Sequence, residues 1–259
     1  MKLYRKYETL REIVADVPGV VAFSGGADSS LLLKAAVDVF GEGAPAFFAD
    51  SVLQSDGART NAIRAARRIG ADLRIVELVP LQWPEFTANP PERCYLCKKK
   101  VYTLFKDLLP QSDMALLDGS NLDDLQKERP GRRAIAELGV KTPLVEAGLA
   151  KADVRRLGKL LGVPTWNRES ASCLATRIPA GTTISAENLG LVARYEGILI
   201  GAGFSGVRVR LCEDDSRSLK IEIKESEMKR FSQPKVRESL VAKFKAAAVD
   251  NLWLSLSGR

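Results

Sequence analysis

Histidine is absent from the 259 residues of this sequence. A mechanism that needs a histidine general base, a Ser-His-Asp triad or a histidine metal ligand is therefore excluded. Long apolar runs are also missing: none approaches the roughly 20 residues that a membrane-spanning helix needs. The first residues, Met1 to Lys6, lead into charges and not into the apolar core of a signal peptide. We expect a globular, cytoplasmic protein with no membrane partner.

Cysteine is scarce, with residues only at positions 94, 97, 173 and 212. In a cytoplasmic chain of this length, four cysteines argue against a disulfide framework and favour metal binding or thiol chemistry. The net charge of +7 is spread along the chain without a long basic block. This charge suits a polyanionic small molecule such as ATP, and it leaves RNA open without arguing for it.

One stretch near the N-terminus has the pattern of a phosphate-binding turn. An apolar run, Val20 to Phe23, breaks at a Ser-Gly-Gly turn, and an apolar helical pattern follows from Leu31 to Phe40. Glycines let backbone N–H groups turn inward, and serine hydroxyls add donors beside the positive end of the helix dipole. The residues concerned are Ser24, Gly25, Gly26, Ser29 and Ser30. No Gly-Lys-Ser/Thr follows, so the spacing is not that of a Walker loop.

The segments after this turn predict alternating strands and helices. The predicted strands are at 44–50, 73–78 and 114–118. The predicted helices are a leading helix that ends near Pro18, one from its cap at Asp56 to Gly70, one from the cysteine pair to Leu109, a short one that ends at Leu138, and one at 151–161. Such alternation indicates an α/β fold, a parallel sheet with helices on both faces. Ligands of such sheets bind at the carboxyl ends of the strands, where the Ser-Gly-Gly turn is expected.

The C-terminal part has a different pattern. A helix at 186–202, strands at 207–211 and 219–223, helices within 225–248 and a strand at 252–256 predict a smaller α+β domain. We place the boundary near residue 180, giving domains 1–180 and 181–259.

Acidic residues fall on the loops expected at the carboxyl edge of the parallel sheet. These are Asp28, Asp123 and Asp124. ATP chemistry usually requires Mg²⁺, which prefers a few carboxylates together with phosphate oxygens. For Asp123 and Asp124 the spacing alone equally allows ordinary solvated loop acids.

The cysteine spacing leaves four interpretations open. Cys94 and Cys97 could chelate one metal centre, and with Cys173 they could hold a [4Fe-4S] cluster with one open iron. With Cys212 added, four thiolates could form a closed structural zinc site. The pair alone could be a redox couple, or the thiols could be inert.

Two arginines alternate along the predicted strand at 207–211. Because strand residues alternate between faces, Arg208 and Arg210 should lie on one face. Parallel guanidinium groups can bind a phosphate or a carboxylate. Exposed arginines on an ordinary strand are the alternative.

The motifs taken in order resemble a known family. Ser-Gly-Gly-x-Asp-Ser looks like the PP-loop of the ATP pyrophosphatases, and the chain from Val20 to about Glu225 resembles the LarE family of ATP-dependent sulfurtransferases. The motifs are Ser24-Gly25-Gly26-Ala27-Asp28-Ser29, Arg93-Cys94-Tyr95-Leu96-Cys97, Asp118-Gly119-Ser120-Asn121-Leu122-Asp123-Asp124 with Arg129-Pro130-Gly131, Ser172-Cys173-Leu174-Ala175-Thr176-Arg177, and Arg208-Val209-Arg210.

This resemblance implies a fold and a reaction. The fold is a HUP-like PP-loop domain followed by a smaller sulfurtransferase and substrate-binding domain. ATP would adenylate a carboxylate of pyridinium-3,5-dicarboxylate mononucleotide and release pyrophosphate. Sulfur would then displace AMP and leave a thiocarboxylate on the path to the nickel-pincer nucleotide cofactor.

The resemblance also implies roles for particular residues. Cys173 matches the sulfur-site cysteine, and with Cys94 and Cys97 it matches members thought to hold a [4Fe-4S] cluster that carries an extra sulfide. The expected ligands of the ATP phosphates and Mg²⁺ are Ser24, Gly25, Gly26, Asp28, Ser29 and Ser30, with Gly119 and Asp123 nearby. The residues expected at the substrate are Arg208, Arg210 and Glu196, with Arg177 close to the sulfur loop. Cys212 departs from the histidine expected after Arg-x-Arg, and its thiol could add a fourth ligand.

The expected partners are a small nucleotide substrate, sulfide or another sulfur donor, and further copies of the chain in a homo-oligomer, a hexamer by resemblance. A tRNA thiolase is the main alternative, but the sequence lacks an Arg-rich tail or an obvious stacking platform for RNA. A non-catalytic nucleotide-binding zinc protein is the alternative from another class. Amidotransferase-type synthetases are disfavoured, since clustered cysteines have no role in ammonia transfer.

Overall fold

The computed structural model describes residues 2–111, 113–126, 130–169, 172–212, 218–246 and 251–256. The chain forms two compact units. The first contains Met1–Ser51, Gly57–Val79 and Glu92–Ala171, and the second contains Val52–Asp56, Pro80–Pro91 and Ser172–Arg259. The predicted domain division at residue 180 stays a prediction. Arg129, named in the Arg-Pro-Gly motif, lies outside the described residues.

The helices of the described residues alternate with strands along most of the chain. They are α1 Lys2–Asp16, α2 Ala27–Phe40, α3 Ala58–Ile69, α4 Pro84–Thr87, α5 Arg93–Asp107, α6 Leu122–Leu125, α7 Pro130–Glu137, α8 Pro143–Glu146, α9 Lys151–Leu160, α10 Ala186–Gly201, α11 Glu225–Phe231 and α12 Pro234–Lys245. Short 3-10 turns occur at Pro80–Gln82 and Leu174–Arg177. No helix in the described ranges combines the length and the apolar character needed to cross a membrane.

The first unit is built on a parallel sheet. Its strands are β1 Gly19–Ala22, β2 Ala44–Asp50, β3 Ala71–Glu77 and β4 Ala115–Asp118. They lie in the order β3-β2-β1-β4, and every pairing is parallel. The predicted parallel α/β sheet is confirmed.

Helices cover both faces of this sheet, as strand β2 makes clear. Phe48 belongs to the main hydrophobic core, which also includes Leu10 of α1 and Leu32 of α2. Its neighbour Phe47 is also buried, and its ring lies 5.3 Å from that of Phe105 on α5. Since neighbouring strand residues face opposite ways, α1 and α2 lie on one side and α5 on the other. The predicted helices on both faces are confirmed.

The start of α3 differs from the prediction. Asp56 was expected to cap this helix, but the N-cap is Gly57, with φ of 76° and no side-chain hydrogen bond. The left-handed conformation, which glycine adopts readily, turns the chain one residue later than the acidic residue. The predicted end at Gly70 is confirmed, and this glycine also has positive φ.

The second unit carries a smaller mixed sheet. Its strands are β5 Arg208–Leu211, β6 Ser218–Glu222 and β7 Asn251–Leu254. β5 and β6 pair antiparallel, and β6 and β7 pair parallel. Helices α10, α11 and α12 accompany them, which agrees with the predicted α+β character.

The strand order of the first unit reverses its direction at β1. From β1 the chain proceeds outward through β2 and β3 and then returns to β4 on the opposite side of β1. The last residues of β1 and β4, Ala22 and Asp118, are register partners. The loops that follow these strands therefore leave the sheet side by side, which is the position where open parallel sheets bind ligands.

Candidate active site

The loop between β1 and α2 is shaped by glycine. Gly25 has φ of 71°, and a Cβ atom there would lie 3.4 Å from the backbone of Ala62. Gly26 is the N-cap of α2 and provides no side-chain cap. The N-terminus of α2 therefore presents backbone N–H groups and the positive end of its dipole without a side chain in front, as an anion site requires.

Two serines hold this loop in shape. The Oγ of Ser29 accepts the N–H of Ser24 at 3.2 Å and lies 3.0 Å from the Oγ of Ser24. The Ser24 Oγ in turn accepts the N–H of Gly26 at 3.3 Å. Ser30 is fully buried, and its Oγ has no hydrogen-bond partner among the described atoms. That these hydroxyls bind phosphate stays a prediction.

The loop after β4 packs directly on the start of α2. A Cβ atom at Gly119 would lie 2.9 Å from the backbone N of Ser29 and 3.0 Å from its Cα. Such distances are too short for any side chain, so only glycine allows the two loops to approach this closely. Gly119 therefore lies directly against the first turn of α2.

The predicted acidic residues meet at the same place. Asn121 donates to the Oδ1 of Asp28 at 3.2 Å, and the ammonium of Lys151 donates to the Oδ2 of Asp28. The backbone N–H of Lys151 donates to Asp123 at 3.0 Å. Asp124 instead caps α6, accepting the N–H of Asn121 at 3.2 Å.

The chemistry of these acids fits Mg²⁺. Asp28 and Asp123 would supply hard oxygen ligands of the kind that this ion prefers. In the described ranges no three His, Cys, Asp or Glu side chains form a group that could hold a metal ion. Mg²⁺ at Asp28 and Asp123 would therefore take its remaining ligands from phosphate oxygens and water, its usual arrangement in nucleotide sites.

A buried network connects the Gly119 loop to α5. The Oδ2 of Asp118 accepts from Lys98 at 3.1 Å and from the hydroxyl of Tyr102, and its Oδ1 accepts from the N–H of Ser120 at 2.8 Å. Burial alone would raise the pKa of Asp118, but Lys98, Ser120 and Tyr102 outweigh it, and the pKa lies below its usual value. Burial and the Asp118 carboxylate raise the pKa of Tyr102 well above its usual value. The network fixes α5 against the end of β4.

The cysteine pair occupies the first turn and a half of α5. Cys94 is exposed and Cys97 is half-buried, and neither forms a disulfide. Three residues apart on a helix, they share one face. Tyr95 between them holds this turn against α7: the Arg133 guanidinium lies 3.4 Å from its ring centroid, and its hydroxyl donates to Glu137 at 2.8 Å.

In the second unit, Cys173 begins the 3-10 turn Leu174–Arg177 and is exposed. The backbone N–H of Leu174 donates to the carbonyl of Leu53 at 2.8 Å. Arg177 reaches back across the turn and donates to the hydroxyl of Ser172 and, at 2.8 Å, to that of Thr176. The cysteine therefore stands on a turn whose shape Arg177 maintains.

Arg177 is itself held by a buried ion pair with Glu196 of α10. The Nε–Oε1 and Nη2–Oε2 distances are 2.7 and 3.3 Å, and both residues are 6% exposed. The Glu196 Oε1 also accepts the N–H of Val209 on β5 at 3.1 Å. Removing one partner of such a pair would leave a buried charge uncompensated. Both carboxylate oxygens of Glu196, which was predicted to lie at the substrate, bind Arg177 and so help to anchor the Cys173 turn.

The predicted alternation of the two arginines on β5 is confirmed. Val209 and Leu211 are buried, whereas Arg208 and Arg210 are half-buried on the other face. Arg210 donates to Glu222 at 2.8 Å and also to the carbonyl of Thr176. Arg177 and Arg210 therefore both brace the Cys173 turn.

Comparison with known proteins decides the family. No protein-family model matches the chain. A protein of Lactiplantibacillus plantarum named pyridinium-3,5-bisthiocarboxylic acid mononucleotide synthase is 36% identical over 218 residues, covering 83% of this chain and 79% of its own length. The chain belongs to the LarE family. As a LarE-family protein it is an enzyme of the sulfurtransferase type.

Two relatives without an assigned function extend the match. The uncharacterized protein slr1717 of Synechocystis is 34% identical over 258 residues, covering 99% of this LarE-family chain and 95% of its own length. The uncharacterized protein MJ0830 of Methanocaldococcus jannaschii is 29% identical over 248 residues, covering 94% of this chain and 91% of its own. The similarity therefore spans both units.

Some residues of this LarE-family site have no signal in the sequence. Lys151 contacts both Asp28 and Asp123, and Arg168 donates to the carbonyl of Gly25 at 3.1 Å. Neither residue lies in a recognisable motif. Asn121 lies inside the Asp-Gly-Ser-Asn motif, and the capping-box pattern of Asn121 and Asp124 could have indicated its helix-capping role.

Proposed function

We propose that this LarE-family enzyme activates a carboxylate of pyridinium-3,5-dicarboxylate mononucleotide with ATP and replaces one of its oxygens with sulfur. The product is a thiocarboxylate intermediate of the nickel-pincer nucleotide cofactor, made in the cytoplasm. The name of the L. plantarum relative, a bisthiocarboxylic acid mononucleotide synthase, supports the sulfur insertion. The geometry of the two loops supports the use of ATP.

The close approach of Gly119 to Ser29 carries this proposal. It brings the loops after β1 and β4 together around the uncapped start of α2. In the first step a substrate carboxylate oxygen attacks the α-phosphorus, the α–β phosphate bond breaks, and pyrophosphate leaves. Backbone N–H groups at a helix N-terminus stabilise the negative charge that develops on the phosphates.

The second step replaces AMP with sulfur. Sulfide attacks the acyl carbon of the adenylate, the carbon–oxygen bond to AMP breaks, and the thiocarboxylate remains. The sulfur keeps its oxidation state, so the step needs no electron donor. Cys173 would take part in delivering this sulfide as a thiolate ligand of an iron–sulfur cluster, on a turn held by Arg177 and Arg210. Arg208 and Arg210 would bind the phosphate of the substrate.

Cys94, Cys97 and Cys173 would hold a [4Fe-4S] cluster, which would supply exchangeable sulfide for repeated turnovers. The thiol ligands have the right chemistry, and two of them lie on one face of the first part of α5. Exposure of Cys94 and Cys173 leaves their sulfur atoms accessible to iron and to an external sulfur donor.

Pyrophosphate release tests the activation step. The enzyme with Mg²⁺-ATP should release pyrophosphate only when the dicarboxylate mononucleotide is present, and adding sulfide should give a thiocarboxylate visible by mass spectrometry. Nicotinic acid mononucleotide, with one carboxylate, and nicotinamide mononucleotide, with none, are matched controls. Release of pyrophosphate with nicotinamide mononucleotide, or with no substrate added, at the same rate as with the dicarboxylate would contradict the proposal.

Iron content tests the cluster. Protein purified without oxygen should contain iron and acid-labile sulfide, and Cys94→Ala or Cys97→Ala should lose most of the iron because each removes one of three ligands. Iron and sulfide analysis with visible absorption measures this. Cys212→Ser controls for the loss of a thiol in general. Zinc without iron in the anaerobic protein would rule out the cluster.

A further inference from the structure

Three separate segments, the starts of α2, α6 and α9, meet at Lys151. Its ammonium group pairs with Asp28 in the first turn of α2, and its own N–H donates to Asp123 in the first turn of α6. The loop before α6 is held to the loop before α9 by the bond from the N–H of Leu122 to the carbonyl of Leu149, at 2.9 Å. Lys151 therefore stands at the edge of the cradle formed by the α2 N-terminus and Gly119.

The pair of Lys151 and Asp28 is well placed to exchange partners. The two side chains retain 26% and 23% of their exposure, so neither is sealed in the protein interior. An ion pair with this much solvent contact contributes little to stability, and its loss is easily offset by a new partner. Lysine is also flexible, with its charge on a four-carbon stem that can swing between neighbours.

Two other lysines of the first unit are paired with acids of their own. Lys98 pairs with the buried carboxylate of Asp118, and Lys34 pairs with Asp38 one turn along α2. The polyphosphate of ATP carries several negative charges, and the acids Asp28 and Asp123 add more. Lys151 contacts both acids, Asp28 through its ammonium and Asp123 through its backbone N–H.

We propose that Lys151 is a further catalytic residue, whose ammonium leaves Asp28 and binds the β- and γ-phosphates of ATP during adenylation. The inference rests on the proposed ATP-dependent activation. As the α–β bond breaks, negative charge accumulates on the departing pyrophosphate, and the ammonium neutralises it. No proton transfer is needed, since the lysine stays protonated and acts only through its positive charge.

Binding of α,β-methylene-ATP, which cannot be split between its α- and β-phosphates, directly tests the contact between Lys151 and the phosphates. Lys151→Met should weaken this binding by about 10- to 100-fold, the loss expected for one charge-assisted hydrogen bond. Binding of AMP, which lacks the β- and γ-phosphates, should change little. Lys151→Arg, which keeps the positive charge, should restore most of the affinity for the analogue.

Lys6→Met is the matched control. Lys6 also pairs with an acid at the start of α9, since it donates to Asp153 and to the carbonyl of Gly148, both at 2.6 Å. It makes no described contact to Asp28 or Asp123. If Lys151 only stabilised α9, both variants would lower the melting temperature alike and neither would weaken analogue binding selectively. That result would overturn the inference.

Pyrophosphate release by the wild-type enzyme separates the role of Lys151 from the proposed ATP-dependent activation. If the wild type releases pyrophosphate with substrate and Lys151→Met matches Lys6→Met in analogue affinity, the proposed function stands and the role of Lys151 is wrong. If the wild type binds the analogue through Lys151 but never releases pyrophosphate, the phosphate contact stands and the adenylation fails. Equal loss of AMP and analogue binding in Lys151→Met would also overturn the phosphate contact.

Discussion

Cys173→Ala is expected to abolish thiocarboxylate formation while substrate-dependent pyrophosphate release continues. The reason is that the thiol lies in the second unit, on the turn held by Arg177, whereas the proposed ATP-binding loops belong to the first unit. The change removes one thiolate of the proposed sulfide-carrying cluster without altering the loops after β1 and β4. Product analysis by mass spectrometry and a pyrophosphate assay on the same sample measure both steps.

Cys212→Ser is the control for this experiment. Cys212 follows β5, and its N–H donates to the carbonyl of Ser218 at 3.0 Å, a backbone contact that serine preserves. The control should form thiocarboxylate at the wild-type rate. Thiocarboxylate formation by Cys173→Ala at that same rate would refute the role of Cys173.

Gly119→Ala is expected to cut pyrophosphate release by about 100-fold, the penalty for misplacing reacting groups by about 1 Å. The new methyl group would lie 2.9 Å from the backbone N of Ser29, so one of the two loops must move. Backbone cannot swing aside as a flexible side chain can. A steady-state pyrophosphate assay measures the loss, and a thermal melt shows whether the fold survives.

Gly190→Ala provides the comparison. This glycine lies within α10, and an added Cβ would meet nothing within 4 Å. Alanine is also the better helix former, so the control should be at least as stable as the wild type. Wild-type pyrophosphate release in Gly119→Ala would mean that the contact with Ser29 does not shape the ATP site.

Much of the fold could be predicted because it depends on local patterns. The bounds of β2, Ala44–Asp50, agree with its apolar run, and Gly70 ends α3 because it can adopt positive φ. The predicted cap of α3 was wrong because two neighbouring residues, Asp56 with its side chain and Gly57 with its flexible backbone, could each begin the helix. Sequence preference ranks these options but does not say which residue turns the chain.

The site was less accessible to sequence reasoning because its contacts join distant residues. The ion pair between Lys151 and Asp28 spans 123 positions, and no periodicity relates them. Gly119 could be named from its motif, but its close approach to Ser29 depends on β1 and β4 lying side by side. The sequence around Arg177 predicted that this residue lies near Cys173. It did not predict the buried ion pair of Arg177 with Glu196.

Isotope transfer from the substrate tests the central claim, ATP-dependent activation followed by sulfur insertion, most directly. The dicarboxylate mononucleotide would be prepared with a heavy oxygen isotope in its carboxylates and converted with ATP and sulfide. Because the carboxylate oxygen attacks the α-phosphorus and later leaves with AMP, mass spectrometry should find one heavy oxygen in each AMP formed. Thiocarboxylate accompanied by AMP without the heavy isotope would contradict the account.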